Sequence, residues 1–405
     1  MKATLRASIA AAVGVLALPG CDAASPPRGA SPETALRPPN ATDGALLQAL
    51  RDRDPYARVR ALGALLPSLG PEAIPEMERA LRDPTLDLGA AEYELLVRFW
   101  ASHAPEAATR WVADKSPIFH RNALVQIALP AWVAVDLQAS LIVVREWQAV
   151  RPDLREAAAR GLVLGWYAAG LPGLQQYIQD MGGGFEQQLA LATYLRAAIA
   201  KEGAAPVMRW AESVPEENPA YKLAVYRQVA SALPLFDQPA AMRWCEAHCD
   251  GPFGNNLRNI LAGRWVASDG AAALEWLSTA PDGHEKDLAI RASFATWGSL
   301  EREAALAFMA NHADAGGLAA WLKPALPVYA VLLAEGSPAE AVEWAQRIER
   351  EREREVTLIR IARRWRESDP TAAEAWLEKS PLSEAAREKV RNPESAGGAR
   401  KAAQG

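Results

Sequence analysis

The stretch that decides the fold is "WRESDPTAAEAWLEKSP", Trp365–Pro381, because the chain contains it more than once: "WVASDGAAALEWLSTAP" begins at Trp265 and "WASHAPEAATRWVADKSP" at Trp100. In each, two tryptophans stand eleven residues apart around a short polar break. The same interval joins Trp166 to Tyr177 and Trp297 to Phe308. With an aliphatic first member it also joins Ile199 to Trp210, Leu233 to Trp244 and Leu333 to Trp344. Trp132 and Trp147 form a pair longer by four residues, about one helical turn. Thirteen of the fourteen tryptophans fall into these two columns, and Trp321 stands outside them.

The second column recurs every 30 to 36 residues, the size of one helix-turn-helix unit in a repeat protein. Such a unit cannot bury its apolar side alone, so neighbours stack and share a core. Between the columns, Asp369-Pro370 and Ser337-Pro338 read as an N-cap followed by proline at the first helical position, where its missing N–H costs nothing. Ser337 with Glu340 has the spacing of a capping box, as do Asp153 with Glu156 and Asp282 with Glu285 before the other helix of their units. After the break comes a small pair such as Ala107-Ala108, Ala272-Ala273 or Ala372-Ala373, which lets helices approach closely. The preceding helix carries apolar residues at helical spacing, for example Leu358, Ile361, Ala362 and Trp365. No alternating, turn-bounded segment predicts a sheet. The expected fold is all-α: a right-handed α-α superhelix, or solenoid, of about ten helix-turn-helix repeats, with the tryptophan columns filling its core.

"VYAVLLAEGSPAEAVEWAQRIE", Val328–Glu349, resembles a tetratricopeptide repeat, with glycine at the turn and alanine and aromatic residues in the second helix. "LRDRDPYARVRALGALLPSLGPEAIPEMERAL", Leu50–Leu81, resembles a HEAT repeat. These resemblances imply HEAT-like repeats over 44–99, tryptophan-marked repeats over 100–390, and a protein or peptide partner.

The N-terminus reads as an address. Lys2 and Arg6 precede the short apolar run Ala7–Leu18, as in a secretory signal spanning 1–20. Leu18-Pro19-Gly20-Cys21 resembles the lipobox of bacterial lipoproteins, which implies lipidation at Cys21 and a membrane contact through that anchor alone, on either the inner or the outer membrane. Residues 21–43, rich in proline, alanine and serine, read as an extended tether, and 391–405 as a disordered tail. No stretch within 44–390 reads as a membrane span. A net charge of −5 over 405 residues argues against nucleic acid as a partner.

Chemistry is sparse. Cys245 and Cys249, four apart near a helix end, read either as a disulfide or as two buried thiols; a zinc site would need further ligands. Met181-Gly182-Gly183-Gly184 lacks the lysine and serine or threonine of a phosphate loop and reads as an inter-repeat connection. "RIEREREREVTLIRIARRWR", Arg347–Arg366, holds eight arginines against four glutamates. It reads as a solvated helix pair or, through Arg360, Arg363, Arg364 and Arg366, as a patch for an acidic partner. No metal, cofactor or catalytic constellation is expected. The functional expectation is a non-catalytic, envelope-anchored scaffold for a protein or peptide. The alternatives are an accessory to a cell-wall enzyme, since some enzymes that cut peptidoglycan carry similar α-superhelical domains, or a binder of glycans or small ligands.

Overall fold

The computed structural model describes residues 44–254, 256–314 and 317–392. The expected signal, Cys21, the tether and all of the tail beyond Asn392 lie outside the described residues. Twenty-two α-helices follow one another: α1 (Ala45–Leu50), α2 (Pro55–Leu65), α3 (Ile74–Arg82), α4 (Ala90–His103), α5 (Pro105–Lys115), α6 (Ile118–Val135), α7 (Leu137–Val150), α8 (Arg155–Ala168), α9 (Leu174–Asp180), α10 (Gly184–Glu202), α11 (Ala204–Ser213), α12 (Pro219–Ala232), α13 (Gln238–His248), α14 (Leu257–Trp265), α15 (Gly270–Ser278), α16 (His284–Leu300), α17 (Arg302–Asn311), α18 (Leu326–Leu333), α19 (Pro338–Gln346), α20 (Glu351–Ser368), α21 (Pro370–Lys379) and α22 (Glu384–Arg391). The only strands among the described residues are Ala313–Asp314 and Gly317–Leu318, a two-residue antiparallel ribbon. α4 crosses the expected boundary at 99/100, and α22 carries helix to Arg391.

From α4 onward the even-numbered helices are the first members of the units and the odd-numbered ones the second. Their junction explains the eleven-residue interval. Ala104, Asp136, Asp237, Asp269, Glu301, Ser337 and Asp369 share one backbone conformation, φ between −137° and −155° with ψ between 68° and 93°. Each is the N-cap of a second helix, and its N–H closes the first helix on the carbonyl four residues back, at 2.7–3.0 Å. That carbonyl belongs to the first column: Trp100, Trp132, Leu233, Trp265, Trp297, Leu333 and Trp365. Seven residues past the cap, two turns into the second helix, stands the second column. The corner folds the two positions together, with ring centroids 5.6 Å apart for Trp100 and Trp111, 5.9 Å for Trp265 and Trp276, and 6.2 Å for Trp365 and Trp376. After Asp136 the seventh residue is the buried Val143, and Trp147 lies one turn beyond.

Where the first column is aliphatic, a tyrosine one to two turns earlier supplies the ring: Tyr194 against Trp210 at 5.3 Å, Tyr226 against Trp244 at 4.9 Å, Tyr329 against Trp344 at 5.5 Å. Trp321 also has a place, edge-on to Phe308 and His312. The columns are not uniformly buried. Trp244 is fully enclosed, whereas Trp210, Trp276, Trp344, Trp365 and Trp376 are half-buried.

Four of the corners are capped by aspartate, with Asp136, Asp237, Asp269 and Asp369 accepting from the N–H three residues on at 2.9–3.0 Å. The three expected capping boxes do not form. Ser337 occupies its N-cap without a side-chain hydrogen bond. Asp153 instead meets Arg151 through two 3.0 Å bonds, and Asp282 accepts from the buried Lys286 ammonium at 3.0 Å. A charge-assisted bond outcompetes a neutral backbone donor.

Packing is sequential. Each first helix packs on the next first helix, as α4 on α6, α6 on α8 and so on to α20 on α22, while each second helix lies against its own first helix or the one that follows. The apolar core falls into two clusters, Leu46 to Leu261 and Ala262 to Val390, and half-buried Trp276 packs against both. The most extensive helix pairing is between α6 and α8. A Cβ at Gly165 would stand 2.6 Å from the Cα of Pro130, so only glycine admits that approach. α6 is also the one described helix long and apolar enough to cross a membrane, at a mean hydropathy of 1.2 over 18 residues, contrary to the sequence expectation. Leu124, Val125, Ala128, Leu129, Trp132 and Val133 are buried, and the helix packs on α4, α5 and α8. Gly182, Gly183 and Gly184 all take positive φ between α9 and α10, which is why the connection there is glycine.

Candidate functional site: a basic groove across three first helices

The residues singled out in the sequence have separate fates. Cys245 and Cys249 are joined, with sulfurs 1.93 Å and Cα atoms 4.7 Å apart, at the end of α13, and both are buried. Of the four arginines expected to form an acidic-partner patch, three are engaged within the chain. Arg363 donates through Nε and Nη2 to the Lys389 carbonyl at 3.1 and 2.6 Å, and Arg366 through Nη1 to the Val390 carbonyl at 2.6 Å. These carbonyls belong to the last turn of α22, which has no further helical N–H to meet them, and cations stabilise that end of a helix dipole. Arg364 holds the Val331 carbonyl of α18 at 3.1 Å and Glu335 at 2.7 Å. The four do not make one free surface, because inter-repeat stacking brings helix ends within reach of three of them.

Arg360 is the exception: it is exposed and has no side-chain partner among the described residues. It stands beside a groove of about 640 Å³ across α16, α18 and α20. Pro327, Val328, Val331 and Leu332 of α18, half-buried, form the floor with Ala295 of α16 and Val356 of α20. Around it stand Arg291, Arg350, Arg352 and Arg360, with a single carboxylate, Glu353. Arg291 is engaged: its Nη1 meets Glu353 at 2.6 Å and its Nε donates to the Pro324 carbonyl at 3.1 Å. Arg350, Arg352 and Arg360 are exposed and unpaired among the described residues. A smaller recess of about 330 Å³ adjoins, sharing Arg291, Pro327 and Arg350. At its edge Lys323 donates to Glu349 at 2.7 Å, and that bond holds the Glu349 carboxyl below its ordinary range.

Sequence reasoning passed over Arg352 and Val356, although their four-residue spacing with Arg360 sets all three on one helical face. Arg291 left no signal, since it lies sixty residues away and reaches the groove only because α16 and α20 both pack on α18. A second cleft, about 780 Å³, crosses α10, α12 and α14 and is lined chiefly by amides, including Gln187, Gln228 and Asn259, with Arg227 and Arg264. Both clefts open on first helices. Among the described residues no group of three or more metal-ligating side chains stands together.

Against known proteins, no family model, curated protein or solved structure matches this chain.

Proposed function

We propose that this chain is a non-catalytic helical-repeat scaffold that holds an acidic, partly apolar peptide segment of a protein partner in the groove over α16, α18 and α20. One observation carries the reading: an apolar floor bordered by three arginines that nothing in the described chain neutralises. Apolar side chains of an extended peptide would displace water from the Val328–Leu332 floor while its carboxylates meet the rim, where guanidinium groups bind carboxylates two bonds at a time. On this reading the chain is a right-handed α-α superhelix of about ten repeats, and the serial stacking of first helices on one another supports a solenoid. The sequence of residues 1–21 supports export and lipid anchoring at Cys21 in the cell envelope. Expressed in a bacterium, the full chain should sediment with membranes and take up labelled palmitate, and Cys21→Ser should abolish both; a Cys21→Ser chain that is still labelled rejects the anchor.

The groove is tested with the folded chain and a fluorescent peptide alternating Glu and Leu, read by anisotropy against its Lys–Leu counterpart. Saturable binding of the acidic peptide alone is expected, with R352E/R360E weakening it about tenfold or more and added salt weakening it further. Equal binding of the two peptides, or indifference to R352E/R360E, overturns the proposal. Both substituted side chains are exposed and unpaired, so the fold should withstand the change.

A further inference from the structure

On the side of the second helices, a cleft of about 620 Å³ opens between α9, α11 and the turn Gly170–Gly173, within the range of small-molecule sites, roughly 300–1,000 Å³. Its rings form a chain. Tyr167 of α8 meets Tyr194 of α10 edge to face at 5.7 Å, and Tyr194 meets Trp210 of α11 in the same manner at 5.3 Å. Tyr167 and Trp210 are half-buried, leaving part of each ring open. The polar groups lie among these rings. Gln175 donates to the Tyr194 hydroxyl at 2.6 Å, Tyr167 donates to Glu202 at 2.5 Å, and Lys201 lies 5.2 Å from the centre of the Tyr167 ring. Gln176 and Gln179 complete an amide-rich lining.

Tyr221 stands between this cleft and the amide cleft over α10, α12 and α14, lining both. It is 4% exposed, and its hydroxyl has no hydrogen-bond partner among the described residues. Burial pushes its pKa up to about 12, so it remains a donor at any ordinary pH. A buried hydroxyl without a partner is costly, and a ligand that supplies an acceptor removes that cost.

We infer that this cleft is a saccharide-binding site, in which Tyr167 and Trp210 stack on the C–H faces of sugar rings and Gln175, Gln176 and Tyr221 bond the ring hydroxyls. The charge balance of the lining suits a neutral ligand. The lining holds one cation and one carboxylate, Lys201 and Glu202, and so has no net charge, and Glu202 is already bonded by Tyr167. Partly exposed rings beside several amides are the complement of a molecule whose faces are C–H and whose edges are hydroxyls. The site is independent of the basic groove, and either can fail alone.

The test is calorimetric titration of the full chain with chitotriose, cellotriose and maltotriose, each to about 10 mM. Saturable heat with at least one is expected, and Tyr221→Phe should weaken that affinity about tenfold, the worth of one well-made hydrogen bond. Without sugar, Tyr221→Phe should melt no lower than the parent chain, because it deletes an unpaired hydroxyl and leaves the ring in place. Absence of saturable heat with all three trisaccharides, or unchanged affinity in Tyr221→Phe, overturns the inference. A lowered melting point in sugar-free Tyr221→Phe also counts against it, since the hydroxyl would then have a partner within the protein.

Discussion

Trp244→Ala is expected to lower the stability of the chain by about 3–5 kcal/mol, the range for truncating a large aromatic side chain in a core that cannot collapse around the gap. Trp244 is fully enclosed, with the Tyr226 ring 4.9 Å and the His248 ring 4.2 Å from its own. It also precedes the disulfide-bonded Cys245 on the same helix, so relaxation into the cavity is restrained. Its indole N–H has no partner among the described residues, and Trp244→Phe, which removes that buried donor while keeping a ring, should therefore cost markedly less. Trp376 occupies the same place relative to its corner but is half-buried, and Trp376→Ala should cost about 1–2 kcal/mol on the area it hides. Urea unfolding followed by circular dichroism orders the three. Equal losses for the two alanine variants would mean that column position, rather than burial, sets the energetics.

Glu92→Ala should be as damaging at the N-terminal end, by about 3–5 kcal/mol, for an electrostatic reason. Arg58 of α2 and Glu92 of α4 meet at 2.7 Å, with side chains only 8% and 2% exposed. The same guanidinium holds the Asp52 carbonyl at 3.0 Å and the Asp87 carbonyl at 3.3 Å, fastening the segments that flank α2 and precede α4. Deleting the carboxylate leaves a guanidinium charge buried without its counterion. Replacing both partners, as in R58M/E92L, should recover most of the loss, because the apolar pair carries no desolvation penalty. Hydrogen exchange gives the location: with sequential packing, protection should fall over α1–α4 in Glu92→Ala and around α12–α14 in Trp244→Ala. A uniform loss along the chain in either variant would show that the units do not respond as neighbours.

The repeat was legible because it is local. An N-cap, the carbonyl four residues before it and a ring seven residues after it lie within twelve positions, so helical periodicity and corner hydrogen bonding write themselves into spacing. Asp369 announces its corner by residue type, and Asp136, Asp237 and Asp269 cap theirs in the same way. Asp153, Asp282 and Ser337 show the same signal with a different outcome, because Arg151 and Lys286 compete for the two aspartates and the Ser337 corner keeps its backbone geometry without a side-chain bond.

By itself the sequence determined that the chain is helical, that second helices begin at Pro338 and Pro370, and which aromatic positions face one another across a corner. The tertiary structure decided which arginines are free. Arg363, Arg364 and Arg366 read in the sequence as open charge, yet stacking sets the carbonyl-rich ends of α18 and α22 against them. Arg352 and Arg360 stay open and gain Arg291 as a neighbour from sixty residues away. It decided the cleft beside Trp210 too, assembled from α8 to α12 around a hydroxyl whose lack of a partner is visible only once its surroundings are known. Spacing records what a residue does to its own helix. What faces a side chain across the next repeat depends on how two helices cross, and no local pattern encodes that.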